Sequence, residues 1–424
     1  MAKIVVVGLG YVGLTTALGL ANLGHSVLGV DTDTEKLALL SRGQVPFYEE
    51  GVENLLKELV ASNRVSFVQG LGSDIQEQAV YFLCVPTPID AKLQTDMTYF
   101  DAAVSSVVNN ACPGSILVVK STVPIGTALA LRSKLVERGI EVANNPEFLR
   151  EGTALRDFES PSRIVVGARN SDTSAAVMSL YSTLKAPKLE TTLNSAETIK
   201  YASNAYLALR VSFVNELATA AELVDADLEK VLDGVGLDER IGNLFLSPGP
   251  GWGGSCFPKD TQEYLTSLSR FGFIPETVNG AVESNLLHQN RIVDRARELV
   301  GGSFRNKKVA VWGLAFKANT DDTRDSPSLA IVGKIISEGA TVCAYDPMVS
   351  ELAVDGLKVA NSLHEASEGA NLIMVMTEWE EFKAVRPEGL IGVVADTKVF
   401  DTRRVINKET WRTHFSSVAI LGES

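Results

Sequence analysis

The sequence predicts an α/β protein: two doubly wound parallel-sheet domains joined by a central helical domain with a long spine helix. Three observations carry this. Residues 3–31 run strand, glycine turn, helix and strand, ending in Asp31. The same order returns from Lys307 to Asp346. Between them, Asn194 to Asp225 holds no Gly or Pro and keeps an apolar period near 3.6, which reads as a helix of about 30 residues, well above the usual length. A chain of 424 residues is too long for one core. The expected domains are 1–193, 194–300 and 301–424.

Hydrophobic residues make up 45% and charged ones 21%, the composition of an ordinary globular protein, and the formal net charge is -13. That balance argues against a general nucleic-acid binder, which neutralises phosphates with clustered Lys and Arg. No apolar run reaches the roughly 18 residues that span a bilayer, and the first strand follows directly on the N-terminus, so neither a membrane segment nor a cleaved leader is expected. Four histidines and four cysteines (Cys84, Cys112, Cys256, Cys343) are scattered without ligand or redox-pair spacing, predicting no metal site and reduced thiols in the cytoplasm.

In the first domain Gly8, Gly10 and Gly13 stand at G-x-G-x-x-G spacing between an apolar strand and a helix expected over 12–23. Gly8 suits the tight turn, Gly10 lets backbone approach a pyrophosphate, and Gly13 allows close helix-to-strand packing; the pyrophosphate then rests on the positive end of the helix. Asp31 at the end of the next strand suits a ribose 2′-hydroxyl and repels a 2′-phosphate, so the ligand reads as NAD. The plainer alternative is that Asp31 caps the helix beginning near Thr34. Further strands are expected over 64–68, 79–85 and 116–120. Thr122 then lies at a strand's carboxyl end, where ligands sit in open α/β sheets, or caps a helix starting near Pro124. In NNPEFLREG, Glu147 and Glu151 share a face if that segment is helical, and such carboxylates either divide acid and base roles or form a solvated turn.

On the long helix Lys200 and Asn204 are one turn apart, and Lys200 is suited to stabilise a developing oxyanion, against the plainer reading of a solvated lysine. Arg240 precedes a loop, NLFLSPGPGWGG, expected to be flexible enough to wrap a ligand. The stretch GWGGSCFPKDT then sets Cys256 behind glycines, with Lys259 and Asp260 following; it fits a nucleophilic thiol or an incidental buried one. A second helix is expected over 275–300. In the last third Gly313 matches Gly8, but Ala315 and Lys317 replace the later glycines. Lys317 and Arg324 supply local positive charge, buried strands are expected over 371–377 and 392–396, and Arg403 and Arg404 follow a strand end.

GLGYVG, STVPIG, NPEFLREG, the Lys200/Asn204 helix, ERIG, GWGGSCFPKD and GLAFKANTDDTRDSP together resemble the UDP-glucose/GDP-mannose dehydrogenase family, in family order over nearly the whole chain. The resemblance implies an NAD-binding Rossmann domain, a central helical domain and a C-terminal Rossmann-like domain holding the nucleotide sugar, in a cytosolic homo-oligomer usually built on a dimer. It implies oxidation of a sugar C6 alcohol twice, with two NAD per turnover, through a thiohemiacetal and a thioester on Cys256.

The resemblance also implies roles. Lys200 with Asn204 stabilises an oxyanion, Asp260 with a water is the base, Glu147 assists thioester hydrolysis and Thr122 places water. Cofactor contacts fall on Gly8, Leu9, Gly10, Tyr11, Val12, Gly13, Asp31, Lys36, Thr87, Thr122, Glu151 and Arg324. Nucleotide-sugar contacts fall on Glu147, Phe148, Leu149, Lys200, Asn204 and Arg240, on the Ser247–Gly253 loop with Gly251, on Lys317, and on either Arg403 or Arg404. UDP-glucose is the favoured substrate, with GDP-mannose the alternative. UDP-N-acetylmannosamine ranks lower because Ser255 stands where those enzymes carry a histidine. The competing classes are a nucleotide-sugar sensor without turnover and a single-oxidation hydroxyacid dehydrogenase.

Overall fold

Short β-branched runs make the strands, and glycines punctuate them. The structure is a computed structural model that describes residues 3–72, 77–90 and 93–424. In the first sheet the strands are β1 (Lys3–Val7), β2 (Ser26–Asp31), β3 (Val65–Gln69), β4 (Val80–Leu83), β5 (Ile116–Val119), β6 (Glu141–Asn144), β7 (Ile164–Ala168) and β8 (Lys188–Thr191). Their order is β3-β2-β1-β4-β5-β6-β7-β8. Among these described strands only the β6/β7 pair is antiparallel. Because βαβ crossovers place helices on both faces, the central strands are buried on both sides and read as continuous apolar runs, IVVV in β1 and ILVV in β5.

The second sheet holds β9 (Lys308–Trp312), β10 (Thr341–Tyr345), β11 (Leu357–Val359), β12 (Leu372–Val375), β13 (Lys398–Asp401) and β14 (Ser417–Ile420), all parallel, in the order β11-β10-β9-β12-β13-β14. The two doubly wound sheets match the expectation from sequence. The strand expected over 392–396 does not form. Gly392 takes φ +82 in a turn that follows the 3-10 helix Pro387–Leu390, and Ala395 and Asp396 both donate to the carbonyl of Ala370. The strand begins at Lys398 instead.

The spine helix is Leu193–Val224, 32 residues. Its expected apolar stripe is only partly buried: Val214 and Ala221 are, while Ile199, Leu207, Val211 and Leu217 are half-buried. Many of the deeply buried positions are small or polar, among them Ala196, Glu197, Lys200, Asn204, Ala208, Ser212 and Asn215. A further helix, Phe257–Ser269, follows directly on the glycine-rich stretch, with Pro258 tolerated in its first turn. The helix expected over 275–300 is Glu276–Leu299.

The chain packs as two units. One holds the described residues up to Ser203 together with Gln262–Gly272; the other holds Asn204–Thr261 and Phe273–Ser424. Among the described residues no helix is long and apolar enough to cross a membrane, and no group of three His, Cys, Asp or Glu is placed to hold a metal ion.

Candidate active site

In the first unit the sheet order reverses between β1 and β4, and the glycine turn sits at that point. Gly8 has φ +88, and a Cβ there would lie 2.8 Å from the Cys84 carbonyl. At Gly13 a Cβ would lie 1.8 Å from the Gly8 carbonyl, so only glycine lets the helix Tyr11–Asn22 approach the strand end. Gly10 is exposed, with nothing within 4 Å of its missing Cβ, which leaves its side of the helix N-terminus open to a ligand. Leu9 and Val12 pack into the core, and the Tyr11 ring stacks on Phe47 at 4.0 Å.

One Asp31 oxygen accepts from Leu9 N and from Lys36 Nζ, both at 2.9 Å. Burial pushes this carboxyl up, but the Asp33 amide and the Lys36 ammonium outweigh it and hold the group below the ordinary aspartate value. The cap of the helix Thr34–Ser41 is Asp33, so the capping alternative for Asp31 is excluded.

At the carboxyl ends of β4 and β5, Ser121 Oγ donates to Val85 O at 2.7 Å and Thr87 Oγ1 to Thr122 O at 2.7 Å. Thr122 caps no helix: the one that follows is Thr127–Leu135, and its first amides donate to Glu197, Gly126 N at 2.6 Å and Ala128 N at 2.8 Å. Burial pushes the Glu197 carboxyl up to about 7. A small cavity is lined by Thr122, Asn144, Glu197, Lys200 and Tyr201, with Ser121, Val123 and Pro146.

Beside it, Lys200 Nζ meets Glu147 Oε1 at 2.6 Å, both side chains buried. Glu147 also accepts from Leu149 N at 2.7 Å. The segment 145–150 is irregular rather than helical, so Glu147 and Glu151 do not share a helix face. Phe148 carries the Arg163 guanidinium over its ring at 3.8 Å, with Lys200 Nζ at 5.8 Å. The amides after Glu151, those of Gly152 and Ala154, donate to buried Glu49 at 2.8 and 2.7 Å.

In the second unit Asn204 Nδ2 donates to Asp260 Oδ2 at 2.5 Å, and Lys259 Nζ stands 2.8 Å from the other oxygen of that buried carboxylate. Asp260 N donates to Cys256 O at 2.8 Å, which puts Cys256 at the N-terminal edge of the helix Phe257–Ser269. Ser255 Oγ lies 3.7 Å from its sulfur.

The loop before it is built in, not flexible: 248–254 are all buried, while Ser247 is exposed. Its glycines serve close approach. A Cβ at Gly249 would meet Arg403 Nη1 at 2.7 Å, at Gly253 the Asp325 carbonyl at 2.0 Å, and at Gly254 the Phe316 ring at 2.8 Å.

Gly313 turns at φ +101 after β9, and Asp346 holds that turn through Leu314 N at 2.8 Å. Lys317 Nζ lies 5.5 Å from the Phe316 ring, and Arg324, largely exposed, pairs with Asp322 at 2.6 Å. The two arginines after β13 part company. Arg403 donates to Met376 O and Phe316 O and lies against Gly249, whereas Arg404, at φ +56, bonds Leu421 O and Glu423. Arg240 stands on an exposed turn, paired with Asp238 at 2.6 Å. Sequence reasoning missed Glu49, Glu197, Asn215, Asn285 and His288, all buried polar groups on helices or loops; the only signal was polar residues interrupting apolar faces.

Sequence profiles of three domains match in order: the UDP-glucose/GDP-mannose dehydrogenase NAD binding domain over 2–185, the central domain over 194–286 and the UDP binding domain over 310–408. The chain belongs to this family. It is therefore an NAD-dependent oxidoreductase acting on a nucleotide sugar. The UDP-glucose 6-dehydrogenase of Rhizobium meliloti (strain 1021) is 37% identical, covering 99% of each chain. Among solved structures, a UDP-glucose dehydrogenase from Pyrobaculum islandicum matches with TM-score 0.91 and 32% identity over 100% of this chain and 98% of that one. The UDP-D-ManNAc dehydrogenase of Pyrococcus horikoshii matches with TM-score 0.88 and 26% identity over 99% of each.

Proposed function

We propose that this member of the family is a UDP-glucose 6-dehydrogenase that oxidises the C6 alcohol twice to give UDP-glucuronate. The observation that carries the reading is the Cys256–Asp260 turn: a cysteine at a helix's N-terminal edge, one turn before a buried carboxylate that accepts from Asn204 and Lys259. The positive end of a helix favours negative charge on sulfur. UDP-glucose is favoured because the relatives at 35 to 37% identity carry that substrate in their names.

The chemistry needs the thiol. Bound NAD supplies a hydride acceptor, and the open side of Gly10 and the Asp31 carboxylate fit its pyrophosphate and ribose. Asp260, through a water, takes the C6 hydroxyl proton while the carbon loses a hydride, leaving an aldehyde. Cys256 sulfur then adds to that carbon, and the oxyanion is met by Lys200 and Asn204. The thiohemiacetal becomes a thioester by giving up its hydroxyl proton and a second hydride, which a second NAD would accept. Water, assisted by Glu147 and placed by Thr122, cleaves the C–S bond, returning the thiol and releasing the uronate.

The remaining assignments follow the same reading. The domains are 1–193 for NAD, 194–300 central and 301–424 for the nucleotide sugar, close to the bounds of the three family profiles. Thr87, Glu151 and Arg324 face the cofactor; Phe148, Leu149, Arg240, Lys317 and Arg403 face the sugar nucleotide. Arg403 is preferred to Arg404 because it lies against Gly249 and Phe316. Exposed Tyr206 and Phe213 on the spine helix suit a homodimer, and the cytoplasm suits four cysteines outside any disulfide.

The test is NADH release from UDP-glucose, GDP-mannose and UDP-N-acetylmannosamine. Two NADH per UDP-glucose is expected, with Cys256→Ser abolishing uronate release. One NADH per sugar, or indifference to Cys256→Ser, would sink the reading.

A further inference from the structure

Four buried side chains converge on the backbone and indole of the loop that precedes Cys256. Asn215 Oδ1 accepts from Gly249 N at 2.9 Å and His288 Nε2 donates to Gly249 O at 2.8 Å. Asn285 holds both ends of one peptide position, accepting from Trp252 N at 2.9 Å and donating to Trp252 O at 3.0 Å. Ser212 Oγ accepts from the Trp252 indole at 2.9 Å and passes its own proton to Ala281 O at 2.8 Å. These residues come from the helices Leu193–Val224 and Glu276–Leu299, which apolar side chains could hold together without placing anything.

A buried amide or imidazole destabilises wherever a bond goes unmade. Asn215 Nδ2 has no partner among the described residues, and its Oδ1 is the atom that holds the loop. On the other side the loop is pressed by Arg403, the Asp325 carbonyl and the Phe316 ring, at distances that exclude a Cβ at Gly249, Gly253 or Gly254. Burial pushes the His288 ring below its usual value, and because the Gly249 carbonyl can only accept, the facing Nε2 carries the hydrogen.

We infer that Asn285, His288 and Asn215 are positioning residues: they set the backbone of 249–252, and through it the nucleotide-sugar loop and the place of Cys256, without touching substrate. The inference rests on the proposed function for its kinetic arm. Its physical basis is that a displacement near 1 Å in a site costs on the order of 100-fold in rate.

The test compares Asn285→Ala, His288→Phe and His288→Gln in the full-length protein for kcat and KM on UDP-glucose, KM for NAD, melting temperature and the rate at which iodoacetamide alkylates Cys256. Asn285→Ala and His288→Phe are expected to lower kcat/KM for UDP-glucose by about 10- to 100-fold, leave the NAD KM within about twofold and change Cys256 alkylation by about threefold or more. His288→Gln, which restores a donor near the Nε2 position, is expected to recover most of both. Ser212→Ala, which loses only the indole bond, gives a milder effect of the same kind if Asn285→Ala does not fold. Parent-like kinetics and alkylation in variants that merely melt earlier overturn the inference. A parent protein that turns over none of the three nucleotide sugars overturns the proposed function instead, and the alkylation arm still decides the clamp.

Discussion

At the carboxyl end of β1 the chain turns through Gly8 with Leu9 N held 2.9 Å from Asp31; at the carboxyl end of β9 it turns through Gly313 with Leu314 N held 2.8 Å from Asp346. Both turns sit where the strand order reverses, and the first six strands of the larger sheet follow the same order as the six of the smaller one. Beyond the turn they diverge. Helix begins at Tyr11 in the first, so amides and the helix dipole face the open side of Gly10. In the second no helix begins until Pro327, and the stretch between carries Lys317 and Arg324, with Arg403 arriving from the end of β13. One backbone plan thus carries two kinds of positive charge: fixed peptide dipoles in one unit, side chains in the other. The carboxylates both accept three backbone amides, those of Leu9, Thr32 and Asp33 at Asp31 and those of Leu314, Ala315 and Met348 at buried Asp346, and Asp31 also pairs with Lys36.

The contrast is most exposed to test where charge is deepest. Lys200 is buried against Glu147, while Arg324 is largely exposed beside Asp322. Lys200→Ala is expected to lower kcat by about 100- to 1000-fold, roughly 3–4 kcal/mol of barrier. Arg324→Ala is expected to change KM values by less than about tenfold and stability by under about 1 kcal/mol. Steady-state kinetics on the two variants checks the ranking.

A smaller effect separates the two carboxylates. Asp346→Asn, which turns an NH2 group toward at least one buried backbone donor, is expected to destabilise by about 2–3 kcal/mol in urea unfolding. Asp31→Asn is expected to cost about 1 kcal/mol or less and to show instead as a weaker NAD KM. Equal losses of stability would erase the distinction between a structural and a ligand-facing acid.

The third effect is a slope. Glu197 in the first unit and Asp401 in the second are both buried carboxylates that accept backbone amides, and burial pushes both up. For Glu197 the folded value is about 7 against an ordinary 4.5, so between those values the folded protein keeps a proton that the unfolded chain has released. The stability this contributes is complete below about pH 4.5 and is lost as pH rises through 7. Glu197→Gln is expected to flatten the dependence of unfolding free energy on pH between 5 and 7 by up to about 1.4 kcal/mol per pH unit. An unchanged slope would mean that Glu197 stays ionised throughout.

Residues whose identity the backbone dictates were legible in the sequence. Gly8 and Gly13 have steric reasons that only glycine meets, and both sit beside a run that could be nothing but a buried strand. Asp31 was legible by its distance from them. What escaped were side chains whose reason lies in a partner far along the chain. Glu197 looks like any helix-surface acid until the amides of Gly126 and Ala128 are seen to end on it, and Asn285 and His288 look like the polar face of an exposed helix until the loop at 249–252 is packed there. The same blindness made that loop seem flexible. Its glycines were read as freedom, yet the neighbours at 2.0 to 2.8 Å make them instruments of confinement. The expected strand at 392–396 failed for a local reason, an apolar run interrupted at Gly392 by a left-handed turn.

Glu197 and Lys200 are neighbours on one turn of a 32-residue helix, and within their unit each is moored to something that is not helix: one to the amides of 126 and 128, the other to Glu147. Two moorings so close together fix the helix's rotational phase. A slip of a single residue would swing every side chain by about 100°, carrying the ammonium away from its carboxylate and the carboxylate away from its amides at once. The bearing of the residues around 197–200 is therefore set by a pair of anchors one turn apart.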